Sequence, residues 1–549
     1  MGEENKEVPE TEVSEEVSVV AEASDGQAVA EQNSPYKGFL GKVDNFFGIT
    51  KSGSKFKTEI VAGLTTFMAM VYILIVNPNM FANIGGLSFQ GMFIATSIGA
   101  IVGTMLMAFL AKMPLAQASG MGVNAFVVFN LVIYGGLTYA NAMVFTLLDG
   151  IIFIILTVTG LRKYIFTAIP DEVRKAINVG LGLFIAFIGL QNAGVIVGDS
   201  STLVNLVSFN VLKSDFVTWT NGTVGGMLPA LVAILGVVAI AILTYKKVKG
   251  AILWGILGSA VLFYVMAGFG CLAGGVQTIF DADGKLLEDA LEVPAGGTLQ
   301  LTNGLACKQI FTSISINNPF TAFAAWGKES AGKVFYEGFN FSDYLGVEGN
   351  NAGSLVLLLI TSALSLCMLD MFDTLGTLYG ACSKGGLLDK DGNPIRMNKC
   401  MLADAIATSV GAVAGTSTVT TFVESSAGVA AGGKTGFTAL VTGLCFLVAM
   451  FLSPIAQLIP SAATATALIW VGVLMMSSVT NIEWTNPAVA LPAFLTIAVM
   501  AFGYEISYGI GMGIISSVIV RICTGKIKSI SIVTWIIAAF FLATFILTH

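Results

Sequence analysis

Long apolar runs recur along the chain, separated by short polar links. They fall at roughly 59–80, 88–111, 119–134, 139–160, 176–198, 225–244 and 250–268 in the first half. In the second half they fall near 355–382, 401–414, 418–432, 436–459, 464–480, 488–504 and 506–522. Most approach the ~20 residues that let an α-helix cross a bilayer. The pattern therefore predicts an all-α polytopic membrane protein with 14 membrane segments, seven in each half. Residues 530–547 form one more apolar run, either an additional span or a helix lying along the bilayer.

Two of these runs are interrupted. Segment 3 opens with Gln117-Ala118-Ser119-Gly120-Met121-Gly122-Val123-Asn124, and segment 10 lies within a Gly/Ser/Thr-rich stretch from Gly415 to Gly436. Thr416, Thr418, Thr420 and Thr421 favour a short extended run. Ala427 to Ala431 read as a helix ended by Gly432 and Gly433, and Glu424 falls where strand and helix meet. Irregular backbone at membrane depth is tolerated only inside protein or along a water-filled site. The interrupted segment is the third of each half. The sixth segments also echo each other, as Leu228-Pro229-Ala230 and Leu491-Pro492-Ala493. Seven is odd, so the two halves have opposite topology. Inverted repeats with paired broken segments mark a secondary transporter whose site lies at the repeat interface.

Composition fits this picture. Of 549 residues, 55% are hydrophobic and only 11% charged, against about 25% charged in soluble domains. The net charge of −7 owes much to residues 1–34, which read as a disordered acidic cytoplasmic tail without the basic start and apolar core of a signal peptide. Lys37, Lys42, Lys51, Lys55 and Lys57 follow it. Further basic links come after segments 2, 4 and 6: Lys112; Arg162, Lys163, Arg174 and Lys175; Lys246, Lys247 and Lys249. By the positive-inside rule the N-terminus and these links are cytoplasmic. The first repeat then covers 35–268 and the second 355–522, followed by the hydrophobic segment 523–549. Between the repeats lies a long polar insertion, 269–354, on the outside. Cys271 and Cys307 lie in or beside that insertion, either as a disulfide or as free thiols. The seven cysteines form no CxxC pair, and the one histidine is His549. Histidine metal sites, a Ser-His-Asp triad and a histidine proton relay are thereby excluded, and nothing calls for a metal, a cofactor or a nucleic-acid partner.

Segment 8 carries Asp370 and Asp373, three residues apart and so near one helical face. Asp373, Thr377 and Gly380 share a face, and Phe372 adjoins them. In segment 10, Ser425 and Ser426 follow Glu424. In segment 3, Asn124 offers both donor and acceptor, and Phe126 offers a ring. Each has a structural alternative: a packing polar group for the aspartates, a helix cap or ion pair for Glu424, interhelical glue for Asn124, ordinary packing for the phenylalanines. Asp149, Asp404 and Glu505 are further intramembrane acids. Asp149 and Asp404 have no local partner in a broken segment and read as structural. The set suits a small planar ligand with both donors and acceptors. Carboxylates that take up and release protons at membrane depth serve H⁺ coupling, and the same oxygens suit Na⁺. No basic residue lies in these segments, which argues against an organic-anion or phosphate substrate, and an inorganic-anion transporter or channel would place helix N-termini and a cation at the site where this chain has Asp373 and Glu424. An intramembrane aspartyl protease needs Tyr-Asp and Gly-x-Gly-Asp patterns, and neither occurs in a membrane segment.

Several stretches, in order, resemble the adenine/guanine/hypoxanthine permease branch of the nucleobase:cation symporters. They are Glu59-Ile60-Val61-Ala62-Gly63-Leu64-Thr65-Thr66-Phe67 through Val76-Asn77-Pro78, Ser119-Gly120-Met121-Gly122-Val123-Asn124-Ala125-Phe126, Asp373-Thr374-Leu375-Gly376-Thr377-Leu378, Gly415-Thr416-Ser417-Thr418 with Glu424 to Gly433, and Pro492 to Ile497. The resemblance runs from about residue 40 to the C-terminus. It implies a uracil-transporter-like fold: a 7+7 inverted repeat, a core domain of segments 1–4 and 8–11, a gate domain of 5–7 and 12–14, and short strands in segments 3 and 10. It implies a purine base held by Asp373 and Glu424, proton coupling, and a homodimer in the plasma membrane. Thr377 stands where distant relatives carry a histidine. The long insertion 269–354, the Asn-Pro-Ala-Val-Ala-Leu before Pro492 and Glu505 in Gly-Tyr-Glu-Ile-Ser depart from the family pattern.

Overall fold

The computed structural model describes residues 35–160, 169–199, 201–209, 216–220, 223–272, 277–280, 286–287, 298–314, 318–347, 351–390 and 392–547. The acidic tail, Arg162, Lys163, much of the insertion and His549 lie outside the described residues. Among those described, ten helices are long and apolar enough to cross a membrane. They begin with Phe56–Phe81 and Phe89–Ala111 and end with Ile506–Cys523, following the predicted order. Met121–Tyr134, Pro487–Phe502 and Ile532–Ile546 are shorter apolar helices. Segment 9 is the helix Met397–Ala414, and segment 10 contributes only Ser425–Ala430 as α-helix.

Two segments differ from the hydropathy pattern in an informative way. Segment 8 is longer, Ala352–Gly385, because Asn351 and Ser354 form a reciprocal capping box that starts it early. Segment 1 runs unbroken from Phe56 to Phe81 but tightens at Val71 and Tyr72, between the α-helical stretches Phe56–Met70 and Ile73–Phe81. Between them Leu74 N donates to Val71 O at 3.1 Å and Ile75 N to Tyr72 O at 3.0 Å, the tighter 3₁₀ winding.

Among the described residues, nine strands accompany the helices. Strand β1 (Gln117–Ser119) opens segment 3. Strands β2 (Ile196–Asp199) and β3 (Leu203–Leu206) make a hairpin after segment 5. Strands β4 (Thr218–Thr220), β5 (Thr223–Gly225), β6 (Gln277–Phe280), β7 (Leu286–Leu287) and β8 (Thr298–Thr302) form an antiparallel sheet in the order β5-β4-β8-β6-β7. Strand β9 (Val419–Thr421) belongs to segment 10 and pairs with β1.

The helices pack as two groups. Segment 9 lies against segments 2 and 4, and segment 11 against segments 1 and 2. Segments 5, 12, 13 and 14 pack on one another, and segment 7 on 6 and 12. The C-terminal helix Ile532–Leu547 lies against segments 14 and 8. The insertion divides the same way. Its first lobe, strands β6–β8 and helix Asn303–Thr312, extends the sheet begun by β4 and β5 before segment 6 and buries Ala306, Cys307 and Ile310 with Phe263, Ala267 and Leu228 of segments 7 and 6. There Cys307 and Cys271 are neighbouring free thiols, and burial pushes the Cys307 thiol up to about 12, with Cys271 beside it adding to the rise. The second lobe, 318–347, sits on segments 2, 4 and 9. Glu329 Oε2 accepts from Ser88 N at 2.8 Å and Ser88 Oγ at 2.6 Å. Trp326 Nε1 donates to Ala414 O at 2.8 Å, and Asn141 Nδ2 to Gly338 O and Asn340 O.

Near the start of segment 1, Glu59 is fully buried and holds that segment to the start of segment 11. Its carboxylate accepts from Lys434 N (3.0 Å), Thr435 N (3.3 Å), Thr435 Oγ1 (2.9 Å) and Thr438 Oγ1 (2.6 Å), satisfying the free N–H groups at that helix start. Glu59→Ala takes this acceptor from Lys434 N, Thr435 N and Thr435 Oγ1 and leaves Thr438 Oγ1 only its 3.4 Å bond to Glu59 O. It is expected to destabilise the protein by on the order of 3 kcal/mol, and Glu59→Gln by less, as read from unfolding in detergent.

Candidate functional site

The site is built on backbone. Strands β1 and β9 pair antiparallel in the register Gln117↔Thr421, Ala118↔Thr420 and Ser119↔Val419, with all six residues buried. Gly120 N to Thr418 O (3.0 Å) and Phe422 N to Ala116 O (3.1 Å) extend the ladder at both ends. Each strand then runs into a helix, so both interrupted segments turn from extended to helical at one place. Asn124 locks the junction from behind. It is fully buried, its Oδ1 accepts from Ser119 Oγ at 2.8 Å and also from Ser417 Oγ, and its amide therefore ties one broken segment to the other. Ser425 does similar work: its Oγ accepts from Ala116 N at 3.0 Å.

Side chains alternate across a strand, and that alternation sorts the acids onto two sides. Thr420 Oγ1 donates to Asp373 Oδ2 at 3.3 Å. Its neighbour Thr421 points the other way, where its Oγ1 (3.1 Å) and Gln117 Nε2 (2.8 Å) both donate to Asp404 Oδ1. Thr374 Oγ1 donates to Asp404 Oδ2 at 2.8 Å, Thr408 Oγ1 to Asp370 Oδ2 at 3.3 Å, and Thr418 Oγ1 to Asp149 Oδ2 at 3.3 Å. Asp149, Asp370 and Asp404 are fully buried. The pairing of Asp149 and Asp404 with hydroxyls of the broken segment was not visible in sequence, where neither had a local partner.

On the first side stand Asp373 and Glu424, both half-buried. Glu424 heads the helix Ser425–Ala430, yet its side chain does not cap that helix. Its Oε1 instead accepts from the Tyr72 hydroxyl at 2.6 Å, at the tightened turn in segment 1. Tyr72, Glu424 and Asp373 lie within electrostatic reach of one another. Gly120 makes room for this arrangement: a Cβ there would stand 2.9 Å from Thr420 Oγ1 and 3.7 Å from Asp373 Oδ2.

The structure thus brings Asp373 and Glu424 together and adds Tyr72 and Thr420, neither of which the sequence pattern marks as a site residue. A buried tyrosine in an apolar helix needs a hydroxyl partner, which was the available signal for Tyr72. Asp370 sits behind the strands with Asp404. Ser426 is partly exposed beside Glu424, with its N–H donated to Val423 O, while Thr377 is buried on segment 8. Phe126 is fully buried in the core. Phe372 lines a cavity of about 260 Å³ with Asn178, Leu375, Gly376 and Tyr379, where segment 8 faces segment 5. At the other end of segment 3, Asn130 Nδ2 donates to Tyr504 O (2.5 Å) and Glu505 Oε2 (2.8 Å), joining segment 3 to the link between segments 13 and 14. Glu505, unexpected from the family pattern, therefore has a partner.

Residues 57–273 and 335–512 match the model of a Permease family. The guanine/hypoxanthine permease PbuO of Bacillus subtilis is 37% identical over 507 residues, covering 91% of this chain and all of that protein. The adenine permease AdeP of Escherichia coli is 33% identical, covering 91% of this chain and 95% of that one. Among solved structures, the transmembrane domain of a cyanobacterial bicarbonate transporter, BicA, superposes with a TM-score of 0.51 at 14% identity, covering 83% of this chain and 97% of that one. SLC26A9 superposes at 0.52 and 12% identity, covering 88% and 69%. At those identities the likeness is one of fold.

Gly120→Ala is expected to push Thr420 away from Asp373. Losing a hydrogen bond to a carboxylate is worth roughly tenfold to a hundredfold in binding. Solute uptake should fall by about that much while the thermal transition stays near wild type, measured side by side on the purified protein.

Proposed function

Because the chain belongs to the Permease family, we propose that it is a secondary transporter that imports purine nucleobases with protons. The observation that carries this is the pair of acids at the junction of the two broken segments. Asp373 and Glu424 each have one oxygen held by a hydroxyl, from Thr420 and Tyr72. The flanking stretches 117–134, 369–378 and 415–433 contain no Lys or Arg. Such a site accepts N–H groups of a neutral ring, and the relatives named for guanine, hypoxanthine and adenine supply the ligand class. Asp373 and Glu424 hold the base. Protonation of one of them, or of Asp370, couples the cycle to H⁺, the usual role of an intramembrane carboxylate.

The movement is of the elevator kind. Segments 1–4 and 8–11 carry the site past segments 5–7 and 12–14. The packing of helices into these groups supports this, as do the two lobes of the insertion, one seated on each. Asn130 joins the groups at the outer side, and the cavity beside Phe372 opens between segments 5 and 8 at the cytoplasmic side. The protein works in the cell membrane with its N-terminus inside, as the basic links direct, and as a homodimer, the state implied by the resemblance. An anion carrier of the same fold would place a cation where this chain has two acids.

Radiolabelled adenine, guanine, hypoxanthine, xanthine and uracil should be offered to proteoliposomes with and without an inward pH gradient. Saturable purine uptake that rises with the gradient is expected. It should fall by about a hundredfold in Asp373→Ala and in Glu424→Ala at normal incorporation, since each removes a charged acceptor. Uptake untouched by both substitutions would refute the assignment.

A further inference from the structure

We infer that Tyr72 is a positioning residue for the substrate: its hydroxyl holds Glu424 in one orientation and leaves a single carboxylate oxygen for one N–H of the base. This rests on the purine-transport function proposed above.

The position of Tyr72 is built in at three levels. It stands at the tightened turn of segment 1, between the α-helical stretches Phe56–Met70 and Ile73–Phe81, and is fully buried. A stretch of 3₁₀ winding inside an α-helix often marks a functional point in it. The segment is held against the Glu424 helix at fixed distance, because a Cβ at Gly428 would stand 2.0 Å from Thr66 Oγ1 and 2.6 Å from Ala62 O. Only glycine permits that approach, so Tyr72 and Glu424 meet across a rigid contact. Finally, the Glu424 side chain forgoes the cap of its own helix and takes the Tyr72 hydroxyl at 2.6 Å instead.

Thr420 does the same for Asp373 at 3.3 Å. Each acid then presents one oxygen, and two fixed acceptors select a base that offers two N–H groups at matching separation. Freed from Tyr72, Glu424 would rotate and accept more loosely.

The test is Tyr72→Phe, which removes one oxygen atom, compared with Tyr139→Phe. Tyr139 donates to the carbonyl of Gly415 at the far end of segment 9, so that variant loses a comparable buried bond away from the site. Uptake is measured for the preferred base and its N-methyl analogues. Tyr72→Phe is expected to raise KM by about tenfold with maximal rate nearly kept, and to shrink the discrimination against at least one methylated base several-fold. Tyr139→Phe should change neither. Tyr72→His, which keeps a ring N–H, should recover part of the discrimination and serves if Tyr72→Phe fails to reach the membrane. Unchanged KM and unchanged discrimination in Tyr72→Phe would overturn the inference while leaving purine transport standing. Wild-type vesicles that take up no purine would overturn both.

Discussion

Backbone groups inside a bilayer have no water to fall back on, and each unpaired N–H or C=O there costs several kcal/mol. Two helices that stop halfway across must therefore find partners for the extended residues at their broken ends. Here they find each other. The three-residue ladder of β1 and β9, lengthened by Gly120–Thr418 and Phe422–Ala116, is the condition on which the site rests. Without it neither strand would be tolerated at that depth, Thr420 would not reach Asp373, and Glu424 would not face Tyr72 of the other half. Asn124, Ser119, Ser417 and Ser425 reinforce the same junction with side-chain bonds. Residues that seemed suited to binding a ligand are thus largely engaged in holding the two halves together.

The ladder also sorts charge. A strand presents alternate residues to opposite sides, so consecutive threonines, Thr420 and Thr421, serve different acids. One side keeps Asp373 half-exposed, and the other buries Asp404 with Asp370. Segment 8 serves both sides: Asp373 meets Thr420 of the strand, and Asp370, three residues earlier, meets Thr408 of segment 9.

Hydropathy made the helices legible, because each must clear the bilayer, and Gly/Ser/Thr clusters made the two interruptions legible, because they break that pattern. The acids Asp373 and Glu424 stood out for their cost in an apolar setting. What stayed hidden was pairing at long range. Tyr72 and Glu424 are 352 positions apart, and nothing local to either names the other. The tightened turn in segment 1 was hidden too, since no Pro or Gly marks the spot and only the Tyr72 hydroxyl interrupts the apolar run. The hydroxyl partners of Asp149 and Asp404 depend on strand direction, which short sequences do not encode. The division of the insertion into two lobes follows from which helix ends it meets, a property of the assembled fold.

That division has a mechanical consequence. One lobe rides on segments 6 and 7 and ends at Ile314, and the other begins at Asn318 on segments 2, 4 and 9. Four peptide steps join them, and an extended chain covers at most about 3.6 Å per residue. Whatever the helices beneath them do, Ile314 and Asn318 can never stand more than roughly 14 Å apart. The insertion is in that sense a leash: it limits how far its two lobes, and the helix ends on which they sit, can separate.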